Sequence, residues 1–245
     1  MVKHLSNSSI SKYQMCPRSW RFRYVDEISA PASYHLVFGI AFHNVIEAYV
    51  ASGGSLQSHW QKAWSRAMAR QHDVDWGIKG ADDIYALGER MCASKSIQNT
   101  VAGLADGGTP LIEQYIEFII PGVGVPFVGY VDMILPDGTV IDFKTSSRAW
   151  KPGSGDDSLQ AAFYIAGLRA NGYEVKDEFK FYVFTKSKLE GMVIPTTVDE
   201  RRIAFALDTA RSVWRGIKAE AFPPASSYGW WCSPKHCEYW DVCRK

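Results

Sequence analysis

The stretch Gly129-Tyr-Val-Asp132-Met-Ile-Leu-Pro-Asp-Gly138-Thr-Val-Ile-Asp142-Phe-Lys144-Thr145 constrains the fold more than any other part of the sequence. Two short apolar runs flank Pro136-Asp137-Gly138, and Asp-Gly between apolar runs is a strong hairpin signal. The first strand carries Asp132. The second carries Asp142 and Lys144, two residues apart and so on one face. Two carboxylates able to converge on a divalent cation, with an ammonium beside them, are the parts needed to hydrolyse a phosphodiester. The plainer reading of Asp-x-Lys alone is a solvated strand pair or a weak surface ion pair. The rest of the sequence decides between them.

A chain of 245 residues with 47% hydrophobic residues can bury a substantial core as one domain spanning 1–245. Its formal net charge of +1 gives no global basic field, so any nucleic-acid site must come from local clustering. No apolar run reaches membrane-spanning length, and Met1-Val-Lys-His-Leu-Ser is no signal peptide. Five cysteines, an odd number, argue against a disulfide scaffold and for a reducing cytoplasm, where clustered thiols favour metal or reactivity.

The patterning predicts a helical segment over 9–24 containing the Cys16-Pro17 step, and a helix over 38–51 with Phe42, Val45, Ile46 and Tyr49 in a stripe. Helices over 56–71 and 84–104, with breaks near Gly77-Gly80 and Gly107-Gly108, form a helical insert over 56–104. Three sequential antiparallel strands follow over 112–120, 127–135 and 139–144, then a helix over 158–170, a strand over 178–185 and a long helix over 199–219. Residues 109–190 hold the core sheet and helix, and 223–245 form a Trp- and Cys-rich tail. The order indicates an α+β (mixed α/β) fold, helices flanking a small sheet.

Further candidates surround the hairpin. His43 and Glu47 are four apart on one helix face, so Glu47 either orients His43 or is exposed. Glu113 opens the first strand and either points toward the carboxylates or solubilises an edge. Thr145 and Ser146 are suited to contacting a phosphate or capping the next turn. The Gly- and Asp-bearing segment 148–157 looks like a mobile loop. Arg18, Arg21 and Arg23 alternate with Trp20, Phe22 and Tyr24, which suits either phosphate contact with base stacking or a half-buried amphipathic segment. Cys232, Cys237 and Cys243, with the distant Cys16, fit a four-thiolate site for a [4Fe–4S] cluster or a tetrahedral Zn²⁺. His236 is an alternative zinc ligand, and Cys92 reads as a core thiol.

Taken in order, Gly39-Ile-Ala-Phe-His43, Gly129-x-x-Asp132, Asp142-x-Lys144-Thr145 and Gln160-x-x-x-Tyr164 resemble the motifs of the RecB-like branch of the PD-(D/E)XK nucleases, which includes CRISPR-associated and phage exonucleases. The resemblance runs from Ser9 to Cys243. It implies a restriction-endonuclease-like core and a metal-dependent deoxyribonuclease acting as an exonuclease on single-stranded DNA or DNA ends. It implies Mn²⁺ or Mg²⁺ held by His43, Asp132, Asp142 and the Phe143 carbonyl, the imidazole tilting preference to Mn²⁺. Lys144, Gln160 and Tyr164 complete the catalytic set. It favours [4Fe–4S] over Zn²⁺ at Cys16, Cys232, Cys237 and Cys243, clamping the tail to the N-terminal segment. Recombination or CRISPR proteins would be its partners, in a bacterial cytoplasm or that of a phage host. The rival class is a non-catalytic DNA-binding or adaptor protein with a structural metal site.

Overall fold

The computed structural model describes residues 2–71, 73–104, 108–226 and 229–244. Helix α1 (Asn7–Met15) starts in a capping box between Ser6 and Ser9. Cys16 ends it, and the Cys16 sulfur accepts the Ser19 amide to cap α2 (Pro17–Tyr24). A proline disfavours helical geometry at the residue before it, so the expected single segment becomes two helices.

Strands β1 (Ala32–Ser33) and β2 (Val74–Asp75) pair in parallel and frame the start of α3 (Tyr34–Ser52). Across 56–104, where an insert is expected, stand the helices α4 (Leu56–Ala69), α5 (Ala81–Ala93) and α6 (Lys95–Ala102). The single helix expected over 84–104 is two. Ser94 turns the chain, caps α6 through its hydroxyl and donates to the Leu189 carbonyl at 2.6 Å. Of the expected Gly107-Gly108 break, Gly107 lies outside the described residues.

The remaining elements are β3 (Leu111–Phe118), β4 (Phe127–Ile134), β5 (Val140–Ser146), α7 (Leu159–Ala170), β6 (Glu178–Thr185), β7 (Glu190–Thr197), α8 (Glu200–Lys218) and α9 (Trp240–Arg244). The sheet order is β3-β4-β5-β6-β7, antiparallel except for β5 with β6, which α7 connects. Strand β7 is an addition to the sequence-based expectation. Pro195 within it argues against a strand, but an edge strand tolerates proline.

Each sheet face is buried. On one side Phe127, Val131, Phe181 and Val183 pack against α7 and α8 through Phe163, Ile165 and Ala206. On the other Ile141, Phe143 and Phe184 meet Phe38, Phe42 and Trp60 of α3 and α4. This is the expected α+β architecture, a mixed central sheet flanked by helices. No described helix is long and apolar enough to cross a membrane.

Candidate active site

The site lies where β4 and β5 part. Their ladder holds only at Ile134–Val140 and Met133–Ile141. Face alternation also slips there. Val131 and Ile134 enter the α7–α8 core, while Met133 enters the opposite one, so strict period 2 breaks around Asp132. Across on β3, Glu113 is the residue the β3–β4 register skips, and its φ is +53°. A non-glycine residue in this left-handed region costs on the order of 1 kcal/mol and marks a constrained position. Asp132 is thereby aimed into the gap. Its Oδ2 accepts the Phe143 amide at 2.7 Å, so a carboxylate replaces the main-chain acceptor of a regular ladder. The Phe143 carbonyl points to the same side as its amide, into the gap.

Asp142, 2% exposed, stands one strand over. Gln160 in the first turn of α7 donates to its Oδ1 at 2.7 Å and accepts from Lys144 Nζ at 2.7 Å. Lys144 Nζ also lies 2.7 Å from Asp142 Oδ2. The three side chains form a closed triangle that fixes the ammonium beside the carboxylate.

His43 comes from α3 on the other side of the gap. Its ring stands edge-on to Phe143 at 5.7 Å, and Nδ1 is 3.6 Å from Asp132 Oδ2. Burial lowers its pKa to about 4, against the opposing charge of Asp142, which keeps the imidazole neutral at neutral pH. Burial raises both Asp132 and Asp142 to about 6, although the Phe143 amide and Lys144 respectively oppose the shift. Tyr164 is 8% exposed, and burial followed by the Asp142 charge raises its phenol. Its ring lies so close to β4 that a Cβ on Gly129 would stand 3.0 Å from Tyr164 Cε1. Gly129 gives that ring its place.

Glu47 meets Glu113 rather than His43: burial, then the charge of Glu113 and a hydrogen bond with it, raise Glu47 to about 8. The i, i+4 spacing suggested the imidazole as partner. The approach of β3 to α3, which sequence spacing does not encode, supplies Glu113 instead.

Other expectations resolve differently. Trp20 is fully buried and stacks on Phe222 at 5.7 Å, Tyr24 leans on Trp20 at 5.2 Å, and Phe22 meets Tyr239 at 5.5 Å. Trp20 is therefore core and offers no stacking platform for bases, while Phe22 and Tyr24 are partly buried. The segment 148–157 is tied down rather than loose. Arg202 donates to the Gly155 carbonyl at 3.0 Å, Thr196 donates to Asp156 at 2.7 Å, and Trp150 packs on Phe181 at 5.4 Å. Ser146 caps the turn by accepting the Arg148 amide at 3.3 Å.

The four tail-and-terminus cysteines line one cavity of about 20 Å³, room for about one water. Burial raises the Cys237 thiol, and the charges of Cys16, Cys232 and Cys243 add to the shift. Cys92 is fully buried in the insert, its thiol pushed up to about 12 by burial. All five cysteines are unbridged. Among the described residues, no three His, Cys, Asp or Glu side chains stand as a preformed metal cage. The donor chemistry of the gap nevertheless suits a hard divalent cation: two buried carboxylates held above their ordinary range and a neutral imidazole.

A mixed sheet split at a carboxylate pair, with a lysine on the second strand, defines the phosphodiesterase class that this geometry serves. The chain belongs to the PD-(D/E)XK nuclease superfamily, whose family model matches residues 4–244. Nucleases of this superfamily typically use divalent metals such as Mg²⁺ or Mn²⁺. Among solved structures, the chain is similar in fold to a Eubacterium rectale protein provisionally described as an exonuclease. The identity is 14%, with 99% of this chain and 87% of that one covered, and the TM-score is 0.58. Weaker likenesses are to SSO0001 (13% identity, 96% and 94% covered, TM-score 0.38) and to LHK-Exo in complex with dAMP (9% identity, 76% and 93% covered, TM-score 0.31). No curated protein matches the chain.

Proposed function

We propose that the protein is a divalent-metal-dependent deoxyribonuclease of the RecB-like branch, acting as an exonuclease on single-stranded DNA or DNA ends. One observation carries this reading. Asp132, Asp142, Lys144 and His43, from three separate elements, converge on the gap where β4 leaves β5. Asp132, Asp142, His43 and the Phe143 carbonyl are the proposed ligands for Mn²⁺ or Mg²⁺. A divalent cation there supplies Lewis-acid polarisation of a phosphoryl oxygen and a more acidic water. Lys144 places a compact positive charge at the attacked phosphate. Gln160 holds that ammonium in position, and Tyr164 closes the α7 side of the site.

The domain reading follows the same outline: one nuclease domain over 1–245, a helical insert over 56–104, a catalytic core over 109–190 and a cysteine tail over 223–245. The four thiols are proposed to hold a metal centre that clamps the tail to Cys16. That all four line one small cavity supports a shared centre, and a single Zn²⁺ is the smaller occupant. A [4Fe–4S] cluster, which the resemblance favours, needs the tail to sit further out. Recombination, repair, or phage or CRISPR DNA processing is the setting that the branch implies.

The decisive assay incubates purified protein with end-labelled single- and double-stranded DNA in Mn²⁺, Mg²⁺ or EDTA. Shortening from an end in Mn²⁺ or Mg²⁺, stopped by EDTA, is the expected result. Binding without cleavage would return the protein to the non-catalytic class. Metal-independent cleavage would remove the proposed chemistry.

A further inference from the structure

The helix that carries His43 continues past the catalytic centre in register with β5. His43 faces Phe143, with ring centroids 5.7 Å apart. Four residues earlier, Gly39 faces Thr145, whose Oγ1 lies 3.6 Å from where a glycine Cβ would stand. Four residues earlier again, His35 Nδ1 lies 3.2 Å from Lys186 Nζ. The Lys186 amide is bound to the Ser146 carbonyl at 2.8 Å, which fixes it beside the end of β5. Each rung is one helical turn against two strand residues, about 6 Å. The last rung therefore lies roughly 12 Å from His43.

That rung gathers positive groups without a counter-charge. Lys186 Nζ stands over the Phe38 ring at 4.9 Å. Burial, with Lys79 adding to it, pushes Lys186 down to about 8. Burial and the charges of Lys186 and Lys79 lower His35 as well. Among the described residues, no carboxylate stands within 4.0 Å of Lys79, Lys186 or His35. Asp75, on the strand beside the start of α3, accepts the Gly77 amide at its Oδ1, 2.8 Å away. Basic groups set together oppose one another's ionisation, and an anion relieves that.

Resting on the nuclease reading, we infer that Lys186, Lys79 and His35 form a second phosphate site, which holds the DNA backbone outside the catalytic centre and in line with it. The class of ligand is a nucleic-acid phosphodiester. Thr145 and Ser146, the partly exposed end of β5, lie between, so one strand can occupy both positions.

The test is fluorescence anisotropy of a labelled single-stranded oligodeoxynucleotide in EDTA across a KCl series. Lys186→Gln and Lys79→Gln should each weaken binding several-fold and flatten the slope of log K against log salt by roughly 0.7 for each phosphate no longer neutralised. Lys186→Arg should keep most of the wild-type slope. Melting temperatures separate weakened phosphate binding from damage to the fold, and Lys79 is exposed, so its variant reads binding alone. Wild-type binding unchanged by both glutamine variants would overturn this inference and leave the nuclease reading standing. Lysine-dependent binding without cleavage in Mn²⁺ or Mg²⁺ would keep the phosphate site and remove the nuclease. No binding by the wild type would remove the phosphate site, with cleavage in Mn²⁺ or Mg²⁺ still deciding the nuclease reading.

Discussion

The Asp132 carboxylate and the Phe143 amide, 2.7 Å apart, take the place of a ladder rung between β4 and β5. Asp132 thus has two duties, one in the sheet and one in the site. Asp132→Ala should abolish cleavage and also cost about 1–3 kcal/mol, because a buried amide loses its acceptor. Urea denaturation measures the second effect. A variant as stable as wild type would show that the bond does not support the sheet.

Asp142 and Lys144 carry no such main-chain bond. Asp142→Ala and Lys144→Ala should each lower cleavage at least about a hundredfold, the scale for removing a group that stabilises charge in the transition state. Their circular dichroism should match wild type. Wild-type cleavage by Asp142→Ala would show the site to be wrongly assigned.

The buried carboxyls set a pH dependence. Both are raised from 3.8 to about 6. Between those values the folded chain keeps protons that the unfolded chain has lost, so metal-free stability declines as pH rises through this window. Mn²⁺ binding runs the other way, since the ligands must be deprotonated. Calorimetric titration should therefore find tighter Mn²⁺ binding at pH 7 than at pH 5, with more proton release at the lower pH. His43, already lowered to about 4, contributes little there. An affinity flat from pH 5 to 7 would contradict the assignment of both carboxylates.

Anaerobically purified protein should be brown and contain about four irons per chain if a [4Fe–4S] cluster fills the thiol site. Serine at Cys16, Cys232, Cys237 or Cys243 should bleach it and lower the melting temperature. Cys92→Ser should not bleach it, since that thiol lies apart in the insert core. Colourless protein with one zinc selects the tetrahedral alternative. Protein without metal, prepared without oxygen or chelator, rejects both.

Local chemistry made much of this legible. The Asp-Gly turn announces β4 and β5, and the aromatic, β-branched run over Glu178–Thr185 marks β6 to the residue. Asp142 and Lys144 share a strand face as their spacing suggests, and Gln160, named by the resemblance, bonds to both. What escaped depends on distant parts of the chain. Ser94 breaks a helix that periodicity carries through, because Leu189 accepts its hydroxyl. Trp20 resembles part of a binding face until Phe222 covers it. Glu47 finds Glu113 and not its helical neighbour. Strand β7 hides behind Gly191 and Pro195, residues that propensity assigns to turns.

The stacking of Trp20 on Phe222 has a consequence during synthesis. An indole near the start of the chain waits for a ring some two hundred residues later, which leaves the ribosome only after the whole sheet has been made. Until then α1 and α2 lack the ring that covers Trp20, and the nascent chain carries that apolar surface in the open. Closure of the N-terminal helices is thus a late, long-range step, gated by release of the tail. Nascent chains stalled before Phe222 should bind holdase chaperones that the finished protein does not.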